Sequence, residues 1–315
     1  MFILTLMMLP FSVYQSLTDK SFILDFFSKF GAVADVVHYE PRLGLYRAQG
    51  TMPHPILFGV FCSVGFGLTW YVLGYGKGMA YKGSRVGIVL AATFTSLSSG
   101  AWLSVAVQMA LMTWKTVLSE VKKKWNLLLY MFAGLYVFVD LVASRPPVQL
   151  FAAYLTLNKS SAWYRIHIFT HASDDIMNNP IFGIGLRPFS RPAWMVPTLD
   201  NFWMVVALRY GLPALCILVA TVIVTYIAVG RAKLSGRLES YRWGYLFALA
   251  GFCIAAITVH LWEATYCLLM FMLGAGAWMI DAKDEAAQPE GSEAESRRIR
   301  YTRFEPRKAP AEETA

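Results

Sequence analysis

Apolar residues fall along this chain in blocks long enough to cross a bilayer, separated by short polar segments. A membrane-spanning helix needs about 20 predominantly apolar residues. Five blocks meet that requirement: His54–Gly74, Leu127–Ala143, Phe202–Val229, Trp243–Val259 and Ala264–Ile280. A sixth block, Val86–Trp114, is too long for one comfortable crossing and carries a polar centre, "SLSSG" (Ser96–Gly100). Met1–Tyr14 is apolar too, but short for a span.

Lysine and arginine decide how the sixth block is threaded. Lys77, Lys82 and Arg85 precede it, and Lys115, Lys122, Lys123 and Lys124 follow it. Short basic loops stay on the cytoplasmic side, so two basic flanks require an even number of crossings. The block therefore reads as a helical hairpin with its tip at "SLSSG" and with Arg85 and Lys115 snorkelling to the near surface. Arg231, Lys233, Arg237 and Arg242 mark another cytoplasmic loop. The expectation is an all-α bundle of about eight spans with both termini cytoplasmic. Residues 1–280 form the membrane domain, within which 145–201 is a large extracytoplasmic loop. Residues 281–315 form a basic, low-apolar tail that reads as disordered and in contact with the lipid surface rather than with nucleic acid.

Composition agrees with that picture. The 315 residues are 57% hydrophobic and 15% charged, with mean hydropathy +0.47 and formal net charge +8; soluble domains run nearer 45–50% apolar and about 25% charged. Cys62, Cys216, Cys253 and Cys267 all lie inside apolar runs without ligand-like spacing, which argues against disulfides and zinc. Met1–Leu9 lacks the basic leader and cleavage site of a signal peptide.

This threading places polar chemistry on one side. His38, His54, His167, His171 and His260 all fall on or near the outer face, with Arg42, Arg47, Arg165, Arg187, Arg191 and the pair Asp200-Asn201. Within the large loop, Trp163–Met177 has the length of a helix lying on the membrane face, followed by the turn-rich "NNPIFGIG". Gly183 and Gly185 do not make a dinucleotide fingerprint, because a third glycine and a strand–turn–helix unit are missing.

Several of these segments resemble the superfamily of O-antigen ligases and O-antigen or exopolysaccharide polymerases of bacterial inner membranes. The resemblance rests on Arg165, on "NNPIFGIGL", on "LDNFWMVVALRYGLP" and on "YRAQGTMPHPILFG" (Tyr46–Gly59), and covers roughly Leu45 to Ile280. It implies glycosyl transfer at the outer leaflet from a polyprenyl-diphosphate-linked oligosaccharide to a glycan acceptor, without nucleotide or metal cofactor. Members commonly carry further N-terminal helices. Two positions depart from the family pattern. Asp200-Asn201 stands where the ligases have His-Asn, and Ser98-Ser99 stands where a Ser-Arg pair is common; the segment "SRPAWMVPTLDNFW" (Ser190–Trp203) looks closer to the exopolysaccharide-polymerase branch.

A diphosphate leaving group calls for cations, and arginine's planar fork suits phosphate; an acceptor hydroxyl calls for a base. The candidates are Asp200 and His171 as catalytic bases, with Arg47, Arg165, Arg187, Arg191, Asn201 and Arg209 binding substrate. Asp200 reads equally well as a helix N-cap. Arg209 lies roughly 13 Å further along the helix and is expected to pair with Asp200 or Glu263. His54 reads as a turn residue or a functional one. His260 and Glu263 read as cavity-lining groups or as caps between two helices, and Trp194 as a sugar-stacking ring or an ordinary interfacial tryptophan. A rival class, a transporter of lipid-linked glycans, expects an inverted repeat and helices broken at mid-membrane, and the sequence displays neither. A second rival is an inactive, shortened relative.

Overall fold

The computed structural model describes residues 1–143, 159–195 and 198–282. Among them every regular element is helical. The helices are α1 (Phe2–Thr18), α2 (Phe22–Phe27), α3 (Pro55–Leu68, extended by a π-helical turn Thr69–Leu73), α4 (Met79–Thr95), α5 (Ser99–Val117) and α6 (Lys124–Val142). There follow α7 (Lys159–Asn178), α8 (Phe202–Arg231), α9 (Gly236–Thr258), α10 (Glu263–Ala275) and α11 (Trp278–Asp281). Five helical stretches are long and apolar enough to cross a membrane: Pro55–Leu73, Lys124–Val142, Phe202–Arg231, Gly236–Thr258 and Glu263–Asp281. That is the make-up of a multi-pass membrane protein. The segment 144–158 and the tail from 283 onward lie outside the described residues.

The Val86–Trp114 block is two helices. Helix α4 stops at Thr95 and α5 begins at Ser99, with Leu97 at a positive φ of 47° and the Ser98 hydroxyl accepting from the Ala101 N–H. The polar tip supplies a cap that an apolar residue cannot. The two helices diverge from this tip and α3 fills the space between them, packed in turn against α9. Phe58, Phe247 and Phe252 are fully buried in the centre. Gln108 on α5 is buried there as well. Its amide nitrogen donates to the Ser63 carbonyl at 2.9 Å and its oxygen accepts from the Gly67 N–H at 2.9 Å, cross-linking α5 to α3.

The basic segments gather at one end. Lys115 lies over the Tyr71 and Trp243 rings at 5.3 and 5.0 Å, and Lys82 lies over Trp70 at 5.6 Å. Ser240 donates to the Tyr71 carbonyl at 2.8 Å. Helix α1 begins at this end, where Arg85 covers Phe2, and finishes at the other, where Gln15 accepts from the Gln49 and Gly50 N–H groups. Its 17 residues rise roughly 26 Å, so the stretch that looked short for a span travels the same path as its neighbour α4.

Helix α7 covers the helix expected at Trp163–Met177 and packs Ile168, Ala172 and Ile176 against Met204, Val205 and Leu208 of α8; the i, i+4, i+8 spacing makes that stripe. Helix α8 is not continuous: Gly211 sits at φ 85°, ψ 170°, and Pro213 follows inside the helix. Without an N–H, Pro213 cannot serve the Arg209 carbonyl, and the Leu212 N–H is diverted from Leu208 to the Pro180 carbonyl at 2.7 Å. The loop makes good both losses. Ile184 N–H donates to the Leu208 carbonyl at 2.7 Å and Gly185 N–H to the Arg209 carbonyl at 3.1 Å. A Cβ on Gly183 would come within 2.5 Å of the Leu208 oxygen, and one on Gly211 would overlap the Ile181 carbonyl. Both glycines are therefore required by contact as well as by positive φ, which explains why "NPIFGIG" and "RYGLP" occur together.

Candidate functional site

At the end opposite the basic loops, the starts of α3, α8 and α10 and the end of α9 surround a cavity of about 800 Å³. Three of its walls come from coil segments whose positions have definite causes. Residues 42–48 are held between the end of α1 and the hairpin tip: Tyr46 N–H donates to Ser16 and Ala48 N–H to Thr95, each at 2.9 Å. Arg42 and Arg47 donate to the tip carbonyls of Leu97 and Ser96 at 3.1 and 3.3 Å. Residues 184–189 are fixed by the junction with α8. Residues 198–200 precede α8, whose first turn is tied to α9 by the Phe202 N–H donating to the Val259 carbonyl at 3.1 Å.

Of the candidate residues, Asp200, Arg47, Arg187 and Arg209 line this cavity. Arg165 and Asn201 share a narrow recess with Asp200 alongside Ile168, Phe169, Met204 and Ile257. Asp200 is thus the acid common to both spaces. His171 is half-buried on α7 and lines neither. Arg191 lines neither as well; it donates to the Met195 carbonyl at 2.9 Å and lies over the Phe189 ring.

The capping question resolves in favour of Asn201. Its side-chain oxygen accepts from the Met204 N–H at 3.1 Å, and Asp200 stands one residue outside the helix. Asp200 makes no ion pair and no hydrogen bond among the described residues. Burial holds its carboxyl above the usual carboxylate value, against the pull of Arg165 and then Arg47. Burial likewise lowers Arg165, with Asp200 opposing, and lowers Arg47 to about 10.

The two arginines carry unused donors. Arg165 gives one N–H to the Thr258 carbonyl at 3.1 Å, while its Nε and Nη1 are buried without a partner among the described residues. Arg47 is 6% exposed and its Nη2 is likewise unpartnered. Buried donors are paired in the great majority of cases, and an orphan costs about 1–3 kcal/mol, more when charged. Two such guanidiniums flanking one carboxylate form a pocket of unspent hydrogen-bonding capacity.

Arg42, His54 and His260, placed near the outer face from the sequence, also face the cavity; Tyr39 and Trp262 do so as well and were missed by sequence reasoning. The expected pairing of Arg209 with Asp200 or Glu263 is not formed: the ion pairs among the described residues are His38–Asp19 and Arg242–Glu239. Arg209 instead lies exposed in the cavity, two residues before the break at Gly211.

No family model, curated protein or solved structure matches this chain.

Proposed function

We propose that this chain is a multi-pass glycosyltransferase that moves a glycan from a polyprenyl-diphosphate carrier to a sugar hydroxyl, in polysaccharide polymerisation or ligation. The observation that carries the reading is Asp200 set between two buried guanidiniums with unspent N–H groups, at the wall of a chamber large enough for a glycan. A diphosphate supplies the anionic oxygens those donors lack. Arg209 and Arg187, which also line the chamber, add charge where the leaving group develops it. The acceptor oxygen attacks the anomeric carbon as the carbon–oxygen bond to phosphate breaks. The electron pair leaves on the diphosphate and the hydroxyl proton passes to Asp200, so that configuration inverts. A carboxylate of raised basicity suits that transfer.

Eight helices, α1, α3, α4, α5, α6, α8, α9 and α10, serve as the crossings. The basic end faces the cytoplasm by the positive-inside rule, both termini lie there, and the chamber opens at the outer face of a bacterial inner membrane. The broken helix α8 favours a second reading, transport of the lipid-linked glycan, because discontinuous helices mark transporter sites.

One experiment separates them. Asp200→Asn and Arg165→Gln, at unchanged membrane abundance, abolish long-chain surface polysaccharide while lipid-linked glycan accumulates in a form accessible from outside the cell. Accumulation only on the inner face supports transport instead. Unchanged chain length removes both residues from the mechanism.

A further inference from the structure

The acid and arginines account for one part of the chamber and leave its rings unused. Tyr39, His54, Trp262 and His260, drawn from three separate segments, line the same cavity as one continuous row. Ring centroids are 5.5 Å apart for Tyr39–His54, 5.8 Å for His54–Trp262 and 5.3 Å for His260–Trp262. The Arg47 guanidinium lies over the Tyr39 face at 5.0 Å, so the row begins at the cation that flanks Asp200.

The row is locked in place by hydrogen bonds. His54 Nδ1 accepts from the Ile56 N–H at 3.1 Å, so the neutral ring carries its proton on Nε2 and donates it to the Tyr39 hydroxyl at 2.6 Å. Both imidazole nitrogens are thereby committed. The Tyr39 hydroxyl, already accepting, retains its own proton for a ligand. Half-buried Trp262 sits between the two imidazoles, and Ile56 and Val259 complete an apolar floor.

We propose that this row is a sugar platform that holds a neutral pyranose of the donor glycan beside the diphosphate, with the reducing end toward Arg47. The C–H face of a pyranose carries slight positive charge and matches the electron-rich face of an aromatic ring, while its hydroxyls meet polar groups at the ring edges. Tyr39 and His260 supply those polar groups here. A phosphate has no such C–H face, and so the row and the arginines divide the substrate between them. This inference rests on the reading of the chamber as a glycosyl-transfer site.

The test uses the full chain in lipid nanodiscs with two probes: inorganic pyrophosphate, and oligosaccharides released by mild acid from the surface polysaccharide of the producing strain. Trp262→Ala weakens oligosaccharide binding about ten-fold or more, and Trp262→Phe by less than about three-fold; neither changes pyrophosphate binding. Arg47→Gln does the reverse. Unchanged oligosaccharide affinity in Trp262→Ala overturns the platform, as does loss of both ligands in both tryptophan variants. Parent protein that binds pyrophosphate but no oligosaccharide overturns the platform alone. If it binds neither, the glycosyl-transfer reading fails with it.

Discussion

The Ile184 backbone N–H donates to the Leu208 carbonyl at 2.7 Å, replacing the in-helix bond that Leu212 gives up at the break in α8. Gly183 and Gly211 permit this approach from the two sides of the junction. Gly183→Ala and Gly211→Ala should each lower stability by roughly 1–3 kcal/mol through backbone strain and overlap. The double variant should cost less than their sum, because both act on one junction. Gly185→Ala has the same positive φ but open space around the new Cβ, and should cost less than either. Thermal unfolding in detergent measures all four.

Stability should fall in mild acid. Burial, reinforced by Arg47, holds His54 down at about 4, and burial with Arg209 does the same for His260. The unfolded chain binds these protons near pH 6.5, so between about 6.5 and 4 it holds more protons than the folded one. The stabilisation is complete above that window and is lost as pH drops through it. His54→Gln with His260→Gln should flatten the slope of unfolding temperature against pH in that interval. An unaltered slope would assign the acid sensitivity elsewhere.

Gln108→Leu should weaken the α3–α5 contact by roughly 1–3 kcal/mol, since interhelical hydrogen bonds in membranes average about 0.6 kcal/mol and reach about 1.7, and Gln108 makes two. Gln108→Glu should be worse, because it places a charge among fully buried neighbours. The midpoint of denaturant unfolding reports both.

Sidedness is directly measurable. With the native cysteines replaced, Ser28→Cys in the outer lead-in should react with a membrane-impermeant maleimide in intact cells. Ser119→Cys at the basic end should react only after permeabilisation. Both positions are exposed. The opposite pattern would put the chamber in the cytosol and end the proposal of transfer from an outer-leaflet carrier.

What could be read from the sequence followed from composition over helix-length windows. Helical spans survive errors of a few residues, and the hairpin tip was legible because charge parity forced a turn and "SLSSG" was the polar place for it. The packing of α7 on α8 was not legible, since a weakly apolar helix carries the same stripe whether it meets lipid or protein. The break at Gly211 was missed, although "YGLP" marks its place, because the repair that makes it tolerable depends on backbone groups some 25 residues earlier, which leave no periodic trace. Asp200 and Asn201 were recognised as a pair, but their division of labour depended on which one adopted the capping geometry. Tyr39 and Trp262 were missed because single aromatic residues near a membrane surface are ordinary, and only convergence makes them a row.

The junction at Gly211 also limits how far the chamber can breathe. Pro180, Ile184 and Gly185 satisfy the backbone groups that the break in α8 exposes, so peeling the 180–185 segment away would strand three polar atoms of the helix at once. Because Pro180 bonds to Leu212 beyond the bend while Ile184 and Gly185 bond to residues before it, the 180–185 segment splints α8 across Gly211 and holds that wall of the chamber at a fixed angle.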